Sequence, residues 1–351
     1  MLKYAKYLVK KKNVLPIHLI LEVTSACNAR CITCFNWQKT NYKKPTGPSL
    51  KELEKISLSL GNLLWFSLTG GEPFLREDLT DIVAIFVKNN GAENITVPTN
   101  CLMPKRIAKM TEKILKIYKK NLIITLSLDG IGELHDKIRG VKGNFQKFLE
   151  TYKVLKDLQK SYKNLHIGVN TTINSLNKDH ISEIGDYVEK NLKVESHTLE
   201  LIRGCSRDSN VKPPTLEYYI KNKRMLQDFM KKKSYYKVGL KARLLKATKL
   251  YYHDYSIEVL KKKTQVIPCA AGRLSAVIDC NLNVYPCELY KKYGNLKDFD
   301  YNFRKLWFSN NANKVRKEII NKCCYCTHSC FQFVTLLFNL RAYPKMAKYL
   351  F

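Results

Sequence analysis

The chain is poor in acidic residues: 30 Asp and Glu stand against 61 Lys and Arg, which gives a formal net charge of +31. A surface this positive favours polyanionic partners such as RNA, an anionic membrane or a phosphorylated substrate. Because net charge governs association and not fold, solvated lysines without a partner are the alternative. The sequence adds no recognisable RNA-binding domain, so RNA is the least favoured of the three partners.

The chain also lacks a long apolar run. No stretch reaches the roughly 20 residues that span a bilayer as a helix, and the segment from Met1 to Tyr4 does not begin the apolar core of a signal peptide. The twelve cysteines lie in spacings typical of metal sites. These features favour a reducing, cytoplasmic setting. A chain of 351 residues, 45% of them hydrophobic, has the length of one large domain or two ordinary ones.

Three cysteines at C-x3-C-x2-C spacing, Cys27, Cys31 and Cys34, follow an apolar run over 17–23 that is typical of a buried strand. Three thiolates at this spacing can hold three irons of a [4Fe–4S] cluster and leave the fourth iron open. An open iron suits a cluster that binds a substrate or cosubstrate, because clusters that only carry electrons usually have four cysteine ligands. Structural zinc is the alternative, but zinc requires four ligands and no fourth Cys or His is near this loop in the sequence.

Strand-like and helix-like segments alternate after the first 16 residues. Short apolar runs predict strands at 17–23, 63–68, 94–97, 122–128, 166–172 and 197–201. Amphipathic stretches predict helices at 49–60, 78–90, 104–120, 144–160 and 178–191. Strands that alternate with helices form parallel βα units, which right-handed crossovers curl into a barrel or part of one. The three cysteines then lie at the carboxyl end of the first strand, where α/β enzymes keep their chemistry.

The cysteine triad and Gly70-Gly71-Glu72-Pro73 after the second strand together resemble the radical S-adenosylmethionine (SAM) superfamily. The order strand, C-x3-C-x2-C, helix, strand, GGE-P is that of the family. One departure is Thr33, where the family commonly has an aromatic residue. The resemblance implies an α/β fold, a partial (β/α)6 TIM-like barrel that is open on one side for large substrates. It covers roughly the first two-thirds of the chain.

The resemblance also implies which strand-end residues bind SAM. Gly70, Gly71 and Glu72 would bind the methionine amino group, the glycines through close backbone approach and Glu72 as an acceptor. Arg139 would pair with the SAM carboxylate. The other implied SAM-binding residues end the third, fourth and fifth strands: Asn100, Ser127, Asp129 and Asn170. Asp129 taken alone is equally typical of a helix cap or a turn.

A lysine- and tyrosine-rich helical connector from about Cys205 to Val266 precedes a second group of cysteines. Cys269-x17-Cys287 is followed by a cysteine-dense turn at 323–330, and the flanking segments resemble a SPASM or shorter twitch extension. Proteins with that extension carry one or two auxiliary [4Fe–4S] clusters. Seven cysteines are fewer than the roughly eight ligands that two clusters need, so one auxiliary cluster is predicted.

Cys269 and Cys287 are the firmest predicted ligands of this auxiliary cluster. Cys280 falls where a solvent-facing strand residue is expected, and it is not a predicted ligand. Two cysteines of the turn complete the ligand set, and the spacing leaves open which two of Cys323, Cys324, Cys326 and Cys330 they are. The candidate ligands predicted by number are Cys269, Cys287, Cys324, Cys326 and Cys330. A zinc ribbon, with His328 nearby, is the alternative for this region.

The predicted organisation has four parts. They are a basic amphipathic segment at 1–16, the radical SAM barrel at 17–204, the helical connector at 205–266, and a small C-terminal cysteine-rich iron–sulfur domain with a final helix at 267–351. Both ends combine apolar and basic residues at helical spacing, which predicts peripheral contact with the cytoplasmic face of an anionic membrane. Packing of both ends on the protein itself is an equally supported alternative.

By this resemblance the chain is predicted to be a radical SAM oxidoreductase or transferase. A one-electron donor such as flavodoxin or ferredoxin would reduce the cluster held by the triad. SAM would then be cleaved to methionine and a 5′-deoxyadenosyl radical, which abstracts hydrogen from an unactivated carbon. The expected outcome is a net oxidation or the formation of a C–C or C–X bond, with the auxiliary cluster accepting an electron or shaping the substrate pocket.

A lipid, a lipid-linked glycan or another anionic small molecule is the first expected substrate. The lipid and the lipid-linked glycan fit both the positive charge and the apolar ends. A ribosomally synthesised peptide is the alternative, because the extension recurs in peptide-modifying relatives. A non-enzymatic iron–sulfur redox protein is an alternative of another class. It would require a fourth ligand at the first cluster and would have no use for the GGE-P segment.

Overall fold

A single nine-stranded sheet organises the part of the chain that the computed structural model describes, which is residues 2–8, 14–40, 43–231, 240–322 and 324–350. Its first six strands run parallel and lie side by side in chain order. They are β1 His18–Thr24, β2 Trp65–Gly70, β3 Asn94–Thr99, β4 Asn121–Ser127, β5 Leu165–Ile173 and β6 Ser196–Leu201. Each predicted strand is present, and the predicted partial (β/α)6 barrel is confirmed.

Helices follow the strands as the βα pattern predicts. The barrel helices are α2 Leu50–Leu58, α3 Leu79–Asn90, α4 Pro104–Ile117, α5 Glu133–Arg139, α6 Asn144–Ser161 and α7 Ile181–Asn191, after the short α1 Leu2–Ala5. The remaining helices are α8 Leu216–Lys231, α9 Leu240–Lys262, α10 Phe303–Trp307, α11 Asn310–Ile320, α12 Ser329–Leu337 and α13 Tyr343–Met346. All five predicted barrel helices are present, and α5 is an addition that the apolar periodicity did not reveal.

The strands alternate between an apolar outer face and a more polar inner face. In β4, Leu122, Ile124 and Leu126 are fully buried in the core shared with the outer helices. Asn121 and Thr125, at the alternate positions, face a cavity inside the barrel. This two-residue period fixes the register, since a shift by one residue would turn the leucines inward.

The C-terminal cysteine-rich region extends the same sheet. Strand β7, Ser275–Ile278, pairs in parallel with β1, so that His18 lies opposite Ser275. Two short antiparallel strands follow, β8 Asn283–Tyr285 and β9 Gly294–Asn295. The predicted C-terminal segment 267–351 therefore shares one sheet and one continuous core with the barrel segment 17–204.

Three helices from the second half of the chain stand beside the six-stranded barrel. Helix α8 packs on β6, and α9 packs on both α8 and α12. On α12, Phe331 is buried with Ile20 of β1 and Val277 of β7. Residues of α9 and α12 also line the cavity inside the barrel. The side that the resemblance implies to be open is thus walled by the chain's own helices.

Both ends of the chain pack on the protein. Tyr4 is 3% exposed, and its hydroxyl donates to the carbonyl of Leu63 at 3.0 Å. It shares an apolar cluster with Leu337 and Phe338 of the C-terminal segment. Near the other end, Lys348 pairs with Asp254 of α9 at 2.8 Å. The structure therefore supports the alternative in which these end segments pack on the protein itself. Positions 1 and 9–13 of the predicted basic segment lie outside the described residues. No described helix is long and apolar enough to cross a membrane.

Cys280 corrects one sequence expectation. It is 4% exposed rather than solvent-facing, and the Thr46 hydroxyl donates to its sulfur at 3.5 Å. The reason is that the β7–β8 turn packs against the segment at Ser25 and Thr46 rather than projecting into solvent. Alternation along an isolated hairpin cannot reveal a contact with a distant loop.

Substitutions at Tyr4 test this packing. We expect Tyr4→Phe to lower the free energy of unfolding by about 1 kcal/mol, because one buried hydrogen bond is lost. Tyr4→Ala should cost about 3 kcal/mol, because it also removes a buried aromatic ring. Urea denaturation measures both changes. The half-buried Tyr7 provides the control: Tyr7→Phe should change stability by less than about 0.5 kcal/mol. Wild-type stability for Tyr4→Ala would show that α1 is detached from the barrel in solution.

Candidate active site at the cysteine triad

The cysteine triad lies on the loop after β1, at the carboxyl edge of the barrel. Backbone hydrogen bonds hold this loop from two sides. On one side, the N–H groups of Gly71 and Glu72 donate to the carbonyls of Thr24 and Ala26 at 2.8 and 2.7 Å. On the other side, Ile32 N–H donates to a carbonyl at the end of α5, 3.0 Å away. The loop is therefore fixed by the ends of β2 and α5.

Glycines permit this close approach. Gly70 has φ of +129°, a conformation that other residues rarely adopt. A Cβ on Gly71 would overlap the carbonyl oxygen of Ala26, and a Cβ on Gly140 would overlap that of Arg30. The resemblance implies that Gly70 and Gly71 approach SAM. In the structure their first role is to seat the triad loop.

A cavity of about 230 Å³ adjoins this loop. We call it the triad cavity. All three cysteines line it, together with seven of the eight residues predicted to bind SAM: Gly70, Gly71, Glu72, Asn100, Ser127, Arg139 and Asn170. Residues on or just after five different strands, far apart in sequence, thus meet around one space. Asn170 lies within β5 rather than at its end, because that strand continues to Ile173.

Glu72 is 1% exposed and holds two backbone groups. Its carboxylate accepts from Asn100 N–H at 2.7 Å and from Phe74 N–H at 3.2 Å. Burial raises its pKa to about 7 despite these donors. The carboxylate therefore joins the end of β2 to the end of β3. Its predicted contact with the SAM amino group stays a prediction.

Asp129 lies behind Arg139. Its carboxylate accepts from Arg139 Nη1 at 3.1 Å and from Thr172 N–H at 2.8 Å, and it is 1% exposed. Arg139 lines the triad cavity, and its buried Nε has no hydrogen-bond partner among the described residues. The pair thus presents a fixed guanidinium to the cavity, which fits the carboxylate of SAM. Asp129 positions that guanidinium through their ion pair.

Two further residues on the cavity wall were not predicted. Arg203, just after β6, pairs with Glu200 at 3.1 Å and lies over the ring of Phe35, 4.9 Å from its centre. Glu200 also accepts from Asn170 at 3.2 Å. Arg203 lies just after the carboxyl end of β6, in the same position relative to its strand as several of the predicted residues. Its place at a strand end is therefore the signal by which the sequence could have revealed it. No family motif marks it.

The triad fits a cluster rather than a free-thiol site. Burial raises the pKa of Cys27 to about 11, and burial also raises the pKa values of Cys31 and Cys34. Iron binding would replace the thiol protons and supply the charge that buried thiolates require. Within the described ranges, no three His, Cys, Asp or Glu side chains converge as ligands of a single ion would. A cubane cluster has a different geometry, since each thiolate bonds a different iron.

The C-terminal cysteines form a second group. Cys324 and Cys326 lie close enough to Cys269 and Cys287 that their thiolates further raise pKa values that burial already raises. Gln265 bridges two members of the group, because its side chain accepts from Cys269 N–H and donates to the Cys324 carbonyl, both at 3.0 Å. The structure thus brings together four of the five auxiliary ligands predicted by number.

Cys330, the fifth, lies at the edge of this group. Like Cys269 and Cys287, it packs against the apolar cluster that contains Val277 and Phe331, and it lines the cavity inside the barrel. Glu200, Glu288 and Arg203 are its charged neighbours. His328, the residue a zinc ribbon would use, is buried against Glu288. Cys323 lies outside the described residues.

Residues 21–188 match the family model of the Radical SAM superfamily. The match begins in β1 and ends in α7, so it includes the triad loop and five of the six barrel strands. Over these residues the chain matches the radical SAM superfamily, which agrees with the resemblance predicted from the cysteine triad and the GGE-P segment. Members of this superfamily use a [4Fe–4S] cluster and SAM, and its SPASM-type members carry auxiliary clusters, in agreement with the cofactors predicted for this chain.

Curated relatives are similar over much of the chain. AlbA of Bacillus subtilis, an antilisterial bacteriocin subtilosin biosynthesis protein, is 24% identical over 79% of this chain and 56% of its own length. A cysteine-type anaerobic sulfatase-maturating enzyme of Clostridium novyi is 26% identical over 78% and 73%. An AdoMet-dependent heme synthase of Methanosarcina barkeri is 24% identical over 94% and 93%. The chain thus spans little more than half of AlbA.

Two solved structures share the fold. Streptococcus suis SuiB bound to precursor peptide SuiA has a TM-score of 0.60 at 16% identity, over 90% of this chain and 69% of SuiB. The anSMEcpe structure with bound AdoMet and Cp18Cys peptide has a TM-score of 0.61 at 18% identity, over 96% of both chains. At these identities the likeness establishes the fold alone.

Gly71→Ala tests the seating of the triad loop. The new Cβ would overlap the Ala26 carbonyl, so we expect the loop to move and the triad to lose most of its iron after anaerobic reconstitution. Gly61→Ala is the matched control, because its Cβ would lie 3.5 Å from Leu15 in ordinary contact. An iron and sulfide assay measures the change. Full iron content in Gly71→Ala would contradict the tight packing described above.

Two cysteine groups predict about eight irons per chain, in two four-iron clusters. Replacing Cys27, Cys31 and Cys34 with alanine should leave about half of this iron, and replacing Cys269 and Cys287 should remove the other half. Metal analysis by mass spectrometry makes the measurement. Stoichiometric zinc in place of the second half would show that the C-terminal group is a structural zinc site.

Proposed function

We propose that this chain is a radical SAM enzyme that modifies a ribosomally synthesised peptide. The observation that carries the proposal is the triad cavity, where the three cysteines face seven of the eight residues predicted to bind SAM. When bound, the reduced cluster supplies an electron that splits SAM into methionine and a 5′-deoxyadenosyl radical. The protein's own residues bind and orient SAM and exclude water from the site, because the difficult chemistry belongs to the cofactors.

Six residues at or behind the triad cavity have roles in this proposal. Cys27, Cys31 and Cys34 hold the cluster and leave one iron open to SAM. Arg139, fixed by Asp129, offers a guanidinium to the SAM carboxylate, while Glu72 offers an acceptor to the ammonium. The burial of these groups removes competing water, which strengthens their interactions with charged parts of SAM.

Peptide substrates are favoured over lipids and glycans by two observations. The apolar residues Tyr4, Leu337 and Phe338, at the ends of the chain, pack within the protein. The membrane hypothesis therefore rests on net charge alone. Similar proteins include a bacteriocin biosynthesis protein and a structure bound to a precursor peptide. A one-electron donor such as flavodoxin or ferredoxin is the partner that this chemistry requires.

SAM cleavage tests the proposal. Anaerobically reconstituted, dithionite-reduced protein should convert SAM to 5′-deoxyadenosine, and the Cys27, Cys31 and Cys34 triple alanine variant should not. Three thiolates are the minimum that holds a cluster with one open iron. Cys205→Ala is the matched control, because Cys205 is exposed on the loop after β6 and should leave the rate unchanged. Chromatography of the products gives the rates. Undiminished cleavage in the triple variant would end the assignment.

A further inference from the structure

Residues 206–212, which follow β6, pack against the triad loop. We call them the support loop. Asp208 N–H donates to the carbonyl of Ile32, within the triad, at 3.0 Å. Arg207 Nε donates to the carbonyl of Cys31 itself, at 3.3 Å. The ends of β2 and α5 already hold the triad loop from two sides, so the support loop is a third attachment.

The support loop is itself fixed at both of its ends. The Ser206 hydroxyl donates to the Asp208 carbonyl at 2.8 Å, which closes a turn around Arg207. At the other end, the Lys212 carbonyl accepts from Ser175 N–H at 2.8 Å, and Lys212 N–H donates to the Ser175 hydroxyl at 3.2 Å. Ser175 lies just after β5. The backbone that carries Arg207 is therefore attached to the barrel.

Two arginines after β6 cover the aromatic residues that follow the third cysteine of the triad. The Arg207 guanidinium lies 5.7 Å from the ring centre of Trp37, and the Arg203 guanidinium lies 4.9 Å from that of Phe35. A guanidinium over an aromatic face is attracted by the negative face of the ring. Arg207 is thus held to the triad loop by one hydrogen bond and one cation–π contact.

The charge of Arg207 is not balanced by a neighbouring carboxylate. No ion pair to Arg207 is present among the residues that the structure describes, and the adjacent Asp208 carboxylate accepts from Asn210 N–H at 2.9 Å instead. Burial raises the pKa values of the Cys31 and Cys34 thiols, and the positive charge of Arg207 acts in the opposite direction at both. Arg207 is therefore close enough to the triad to stabilise negative charge on it.

Arg139 is the other cation that acts on these two thiols. Its guanidinium is paired with Asp129 at 3.1 Å and lines the triad cavity, where SAM would bind. Arg207 does not belong to the lining of that cavity. The two arginines therefore differ in role: Arg139 is placed to bind SAM, and Arg207 is placed to act on the cysteines.

We propose that Arg207 is a positioning residue that raises the reduction potential of the cluster held by the triad. Reduction by the one-electron donor adds a negative charge to a cluster that three thiolates already make anionic, and cluster potentials depend on nearby charge and hydrogen bonds. A cation beside Cys31 stabilises the reduced state more than the oxidised state. Because Arg207 is half-buried, solvent screens this attraction less than it would at an exposed site. The inference rests on the proposed function, since it requires the cluster at the triad.

Two substitutions separate the charge of Arg207 from its hydrogen bond. Arg207→Gln keeps an N–H donor without the charge, whereas Arg207→Lys keeps the charge. At a fixed donor potential, we expect Arg207→Gln to lower the ratio of reduced to oxidised triad cluster about threefold to tenfold, as the loss of one partly screened charge predicts. For a one-electron couple this corresponds to a potential lower by roughly 30 to 60 mV. Arg207→Lys should keep the wild-type potential.

Redox titration of the reconstituted full chain, monitored by electron paramagnetic resonance, measures the potential. The signal of the triad cluster is the one that added SAM changes, because SAM binds an open iron. Arg224→Gln is the matched control: it removes the same charge from an exposed position on α8 and should leave the potential unchanged. An iron and sulfide assay on each variant verifies that the clusters are present.

The outcomes separate this inference from the proposed function. An unchanged potential in Arg207→Gln would overturn the inference, as would a potential in Arg207→Lys as low as that in Arg207→Gln. Loss of the triad iron in Arg207→Gln, but not in Arg224→Gln, would make Arg207 a merely structural residue and would also overturn it. Absence of a SAM-responsive signal from the wild-type protein would reject the proposed function together with this inference.

Discussion

The seating of the triad loop against two glycine-bearing turns is the contact on which the rest of the site depends. The N–H groups of Gly71 and Glu72 donate to the loop, and the loop donates to the end of α5 next to Gly140. These backbone bonds require an approach that a Cβ would prevent. The same two turns carry Glu72 and Arg139, so the cysteines and the groups predicted to bind SAM are fixed relative to one another by a single set of contacts.

The two cavities follow from the side-chain pattern of the strands. Apolar outer positions anchor each strand to the helices, while small polar inner positions leave the barrel hollow. A hollow, incomplete barrel requires a lateral wall, and α9 and α12 provide it. The C-terminal region therefore lines the cavity inside the barrel through α12 and also carries the second group of cysteines. Strand β7 of the same region is hydrogen-bonded directly to β1, so the C-terminal region is joined to the barrel sheet.

The strand and helix pattern of the barrel is predictable from the sequence, because it depends on local periodicity and on turn residues. The triad and the GGE-P segment likewise identify the site, since strand ends of parallel units meet at one edge. Three features depend on contacts between distant segments and were not predictable. Cys280 is buried by the loop at Thr46, Asp129 is placed behind Arg139, and Tyr4 is buried under the C-terminal segment. Hydropathy of an isolated end cannot distinguish a membrane surface from the protein's own core.

Arg203 connects the two cysteine groups. Its guanidinium pairs with Glu200 at 3.1 Å, approaches Glu288 at 3.9 Å, and lies over Phe35, the residue after Cys34. Glu288 directly follows Cys287. Burial opposes ionisation of Glu288, but His328 and Arg203 outweigh it and lower its pKa to about 2. A buried ion network of this kind is costly to break, because removal of one member leaves an unpaired buried charge. The relative positions of the triad loop and the auxiliary cysteines are thus tied to one guanidinium, which lines both the triad cavity and the cavity inside the barrel.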